Sequence, residues 1–232
     1  MAKIREYNEI RRFVSERSRL KRDVFELGKH CFSAVKDVLR KRIEQLAADI
    51  TQKDPRLEIK FHERNDFECG CTVAGDYILF HLHTNVFRID AEAADDEVAE
   101  HVKKYPDRAY CAVIHVYNFL ADSFRYERPN DAGYLAARIF INAEREFFVE
   151  GIGGITEAFG PFPGSDFNEA AADEILMTVI YEALNFEMIV PEYALVAEIP
   201  LTDAVRSAGL TGQRTSKRMG FRFSDEHSEE ME

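Results

Sequence analysis

The chain has 232 residues, 46% of them hydrophobic, and a formal net charge of −12 at pH 7. That length and apolar content can bury a substantial core, which excludes collagenous and disordered classes. The acidic balance argues against nucleic-acid binding spread over the whole chain, because an acidic body repels phosphate backbones.

The charge is uneven. Residues 1–44 hold 13 Lys and Arg against 7 Asp and Glu, a surplus of +6, so the remainder carries −18. An acidic body gives the basic N-terminal segment a partner within the protein or its oligomer, and self-association through N-terminal helices is the expectation. The best apolar run, "ILMTVIYEALNFEMIV", carries Glu182 and Glu187 and falls short of the roughly 18 apolar residues that cross a bilayer, so no membrane segment is expected. The opening "MAKIREYNEIRRF" lacks the apolar stretch of a secretory signal, and four cysteines, two of them one residue apart, read as reduced thiols. A cytoplasmic location follows as an expectation.

In chain order, Leu20, Val24, Leu27, Cys31, Val35, Val38 and Leu46 follow the period of an amphipathic helix. Ile4, Tyr7, Ile10 and Val14 have the same spacing on a stripe of their own. The spacing predicts two helices, or one with an offset near residues 15–18, ending at the turn before Pro55. "LEIKFHE" then alternates, with Leu57, Ile59 and Phe61 on one face and Glu58, Lys60 and His62 on the other. "FECGCTVAGDYILFHLH" follows as a hairpin whose second strand extends through "TNVFRID". A short acidic helix stops at Pro106, "RAYCAVIHVYNFL" is an apolar strand, and "AGYLAARIFINAEREFFVEG" is a hairpin turning at residues 143–145.

About six strands in sequence argue for an antiparallel meander. The Gly- and Pro-rich residues 153–165 read as a loop. Asp166 and Glu169 are spaced like a capping box ahead of a helix with a wide apolar stripe from Ile175 to Leu184. The expected fold is α+β: N-terminal amphipathic helices (1–54), a mainly antiparallel sheet of five to seven strands (55–152), the loop, and a C-terminal helical segment (166–212) packed on the sheet. All form one domain, with a mobile acidic tail at 213–232.

The hairpin raises a chemical question, since Cys69, Cys71, His81 and His83 are types that bind zinc. A loop of Ala74 and Gly75 alone sets Cys69 opposite Phe80, Cys71 opposite Ile78, Glu68 opposite His81 and Asp66 opposite His83, with the cysteines on an apolar face. A loop of three residues brings all four candidate ligands to one face, although C-x-C is not the usual spacing of structural zinc sites. Turn chemistry favours the longer loop, because Ala tolerates positive φ poorly, and patterning favours the shorter. Burying one face outweighs about 1 kcal/mol of strain at one turn residue, so the shorter loop is the expectation.

That register groups a His and carboxylate cluster: His62, Glu68, His81 and His83, able in principle to hold zinc or manganese for hydrolysis through a metal-bound water. A second cluster, Arg125, Tyr126, Arg128 and Asn130 in "SFRYERPND", lies on a loop suited to an anionic ligand. "EIK" at 58–60 lacks the upstream strand-end acid of metal-dependent nucleases. "GIGGI" has Thr156 where a dinucleotide loop needs its third Gly, and Cys111 sits in an apolar run with His115 four residues on. With no catalytic motif found, the sequence points to a cytoplasmic, non-catalytic binding module recognising a protein partner or small anionic ligand, with no cofactor. A metal-dependent hydrolase is the alternative.

Overall fold

A computed structural model of the chain describes residues 6–92, 94, 96–160, 166–187, 190, 192–198 and 201. Helix α1 (Tyr7–Phe13), a π-helical turn (Val14–Ser18) and α2 (Arg19–Thr51) run on as a single helical course. The offset in the apolar pattern falls at the π turn, where the wider winding rotates one stripe against the next. Beyond it α2 buries Val24, Cys31, Phe32, Val35, Leu39 and Ile43, whereas no residue of α1 or the π turn is buried.

The strands are β1 (Ile59–Asn65), β2 (Glu68–Val73), β3 (Asp76–Leu82), β4 (Phe87–Arg88), β5 (Tyr110–Leu120), β6 (Tyr134–Asn142) and β7 (Phe147–Gly151). They form one antiparallel sheet in the order β1-β2-β3-β5-β6-β7, and β4 resumes the lane of β3 along the start of β5. Leu57 stands before β1 and is 37% exposed, because Asp54 accepts the backbone N–H of Arg56 (3.0 Å) and holds the chain in a turn there.

Helix α2 and helix α6 (Glu169–Leu184) cover one side of the sheet. Cys69, Cys71, Ile78, Phe80, Ile114 and Ile139 meet Val35, Leu39, Ile175 and Val179 in the main core. Helix α2 passes close over β5 at Gly28, where a Cβ would lie 2.5 Å from that of Ala112. The bidentate Arg42 and Asp173 pair ties α2 to α6. The cap of α6 is Asn168, whose side chain accepts the N–H of Ala171 at 3.0 Å, and not Asp166. Asp166 is still extended, bridged to Glu146 and paired with Arg145 at 3.2 Å, so the helix starts after it.

On the other side lie α3 (Asp96–Lys104), stopped at Pro106, and α4 (Ala121–Arg125). The residues expected as a loop after β7 contain a short helix, α5 (Ile155–Phe159), because Ile155 is an apolar anchor and is fully buried. Residues 161–165 lie outside the described residues, as do 202–212 and the expected tail at 213–232. A last short helix, α7, covers Tyr193–Val196. Among the described residues no helix is long and apolar enough to cross a membrane.

Candidate functional site: the open face of the sheet

The β2–β3 hairpin takes the shorter loop. Val73 pairs with Asp76, Cys71 with Ile78, Cys69 with Phe80 and Glu68 with His81. Ala74 accepts a φ of 55° to close the turn, so burial of a whole face prevails over strain at one residue. Cys69 and Cys71 are fully buried under α2, and burial pushes the Cys69 thiol up to about 12 and that of Cys71 higher still. The four cysteines are free and buried, and a thiol held protonated in this way is a core residue, not a ligand.

The opposite face is built by alternation. On β5, Val113, His115, Tyr117 and Phe119 point away from α2, and each belongs to a row crossing the sheet. The Val113 row includes Phe140 and the stacked Phe148, under Val98 and Val102 of α3. A polar cluster pins α3 beside it: His101 Nε2 lies 3.0 Å from Glu146 Oε2, and Arg108 reaches Glu146 Oε1. At the other end the Phe119 row, with Tyr77 and Thr72, lies under α4, where Phe124 stacks on Tyr77 at 3.9 Å.

Two rows between these covered bands remain open. The first runs Glu68–His81–His115–Arg138–Glu150, each directly opposite the next on β2, β3, β5, β6 and β7. The second, two residues along, runs His62–Gly70–Leu79–Tyr117–Leu135 and is apolar from Gly70 onward. The rows are about 7 Å apart, and the first spans about 19 Å. Their side chains are half-buried, and Arg138 and Glu150 are 44% and 42% exposed.

Electrostatics order the charged row. His81 Nδ1 lies 3.2 Å from Glu68 Oε1 at one end, and Arg138 donates to Glu150 at the other. His83, just beyond, accepts the backbone N–H of Asn85 at Nδ1 (3.0 Å), so its neutral ring carries the proton on Nε2. It stands 6.0 Å from His115 and 6.2 Å from His81. Burial, then the nearby His83, His81 and Arg138, push the His115 pKa below the ordinary imidazole value. The row therefore reads acid, imidazole, imidazole, guanidinium, acid, beside an apolar stripe: it suits a ligand with one apolar face and one charged edge.

The expected clusters are only partly assembled. Glu68, His81 and His83 share the open face, and His62, at the β1 end of the second row, turns its ring toward the covered band, with Nε2 2.9 Å from Thr72 Oγ1 and the ring 5.4 Å from Tyr77. Asp66 is exposed in the turn before β2, and His83 faces Phe87 and His115 in place of it. Among the described residues no group of three or more His, Cys, Asp and Glu is placed to hold a metal ion. Arg125 and Arg128 face separate carboxylates. Arg125 bonds Glu58 (2.8 Å) and Asp122 (3.0 Å), while Arg128 pairs at 2.9 Å with Asp131, which also accepts from Ser123. Tyr126, closing α4, and Asn130 are exposed at the surface. Sequence reasoning missed Tyr117, Arg138 and Glu150 and met His115 only as a neighbour of Cys111. Alternation along β5 carries the signal, but it becomes legible only once β5 is known to lie beside β3.

No protein-family model, curated protein or solved structure matches the chain.

Proposed function

We propose that the chain is a non-catalytic interaction module, working as a homodimer, whose open strip of sheet recognises an amphipathic protein segment. The observation that carries this reading is the pair of open rows, one charged and one apolar, left between the bands that α3 and α4 cover. A half-buried sheet face left uncovered, with an apolar row beside a charged one, suits an interaction surface. A protein segment is favoured over a small anion because Arg125, Arg128 and Arg138 each already face a carboxylate.

Self-association is supported by α1 and the π turn, which leave Tyr7, Ile10, Phe13 and Val14 more than half exposed, and by the charge surplus of residues 1–44 over an acidic remainder. A cytoplasmic setting is supported by the four free buried thiols.

Photocrosslinking tests the reading. A benzophenone amino acid replacing Tyr117 should give one discrete protein adduct in cells producing the chain, and Leu79→Asp should abolish it. The same group at Tyr181, exposed on α6, should give none. No adduct at Tyr117, or a smear unaffected by Leu79→Asp, contradicts the proposal.

A further inference from the structure

We infer that the segment seated on the open strip is the N-terminal arm, α1 with its π turn, of a second copy of the chain. The inference rests on the proposed homodimer and adds where the arm binds.

The arm is built like a ligand. Tyr7, Ile10, Phe13 and Val14 form an apolar stripe at helical spacing and are 77%, 55%, 54% and 55% exposed. Left in water, such a stripe forfeits the burial that stabilises short helices, which are marginal in isolation. Glu9, Arg12 and Glu16 follow one another along one edge of it.

The strip matches the arm in length and texture. Seven residues of α1 and five of the π turn make a rod of about 18 Å, against about 19 Å for the charged row. The apolar stripe complements Leu79, Tyr117 and Leu135. With the apolar stripe laid along the second row, the midpoint of the arm near Phe13 falls on β5 at Tyr117, whichever way the helix runs.

The arm cannot serve its own strip. It continues α2, which lies on the covered side of the sheet with Lys21 over the Tyr110 ring, and the helical backbone at both ends of the π turn provides no bend back to the other side. A second copy supplies what geometry denies within one chain, and two reciprocal arm-to-strip contacts close a two-fold dimer.

Sedimentation equilibrium of the full chain should show a dimer. Phe13→Asp and Tyr117→Arg should each weaken it by at least about tenfold, as loss of a central apolar anchor does, with circular dichroism unchanged. Leu135→Lys replaces Tyr117→Arg if that variant misfolds. An equimolar mixture of arm and strip variants should associate again, since one intact arm meets one intact strip. Copies carrying Phe13→Cys and copies carrying Tyr117→Cys should form an intermolecular disulfide only when mixed.

A wild-type chain that stays monomeric overturns the homodimer itself. A dimer weakened by Phe13→Asp but untouched by both strip variants leaves the homodimer standing and overturns the strip as the seat of the arm. So does a Phe13→Cys copy that cross-links to itself when present alone, the result expected if two arms paired with each other.

Discussion

His81 on β3 stands directly opposite His115 on β5, at the centre of a row that begins at Glu68 and ends at Glu150. Two imidazoles side by side resist double protonation, and Arg138 adds to the repulsion felt by His115. On the far side of His81, Glu68 Oε1 lies 3.2 Å from its Nδ1.

The same relationship sets a pH dependence. Burial pushes the pKa values of both His115 and His62 below the ordinary value near 6.5. The unfolded chain therefore takes up protons before the folded one as pH falls. This contribution to stability is fully present above about 6.5 and is lost as pH falls from there toward the folded values. Urea unfolding at pH 7.5 and 5.5, done on Phe13→Asp so that association does not enter, should show lower stability at pH 5.5, with a smaller difference in His115→Gln. Equal or greater stability at pH 5.5 contradicts the assignment.

Ala74 closes the β2–β3 turn at a φ of 55°. Ala74→Gly should relieve that strain, which exceeds the extra chain entropy of glycine, and stabilise the fold by up to about 1 kcal/mol. Denaturant midpoints measure it, and a marked loss of stability is the contrary result.

At Gly28 the backbone of α2 approaches β5 so closely that a Cβ would collide with Ala112. Gly28→Ala gains helix propensity of about 1 kcal/mol, yet overpacking should prevail and leave the variant about 1–3 kcal/mol less stable. Gly28→Ala with Ala112→Gly should recover much of the loss, which a propensity effect alone would not produce.

Much of this architecture is written in local pattern. The 3.6-residue spacing of α2, the alternation in β1, the apolar run of β5 and the turn near residues 143–145 each follow from which side chains must be buried, and the offset near Ser15 appears as the π turn. Patterning also chose the hairpin register correctly over turn chemistry, and so separated Cys69 and Cys71 from His81 and His83. Capping was less legible: Asp166 has the right spacing, but a bridge from Glu146 holds it extended, and Asn168 takes its place. The open strip was largely hidden, because Glu68, His81, His115, Arg138 and Glu150 come from five strands, and only the order of the sheet puts them in line. That α3 and α4 cover the ends of this face and leave its middle open is a tertiary fact with no local signature.

If the strip holds the arm of a second copy, a paramagnetic label on the arm will relax the strip of its partner. The native thiols are buried and held protonated, so a spin label on Phe13→Cys attaches selectively. Mixed with an isotope-labelled copy carrying no label, it should broaden amide signals around Leu79, His115, Tyr117 and Leu135 and spare those around Ile59 on edge strand β1. Broadening centred on Ile10 and Val14 of the labelled copy, or none at concentrations where the dimer forms, would contradict the account.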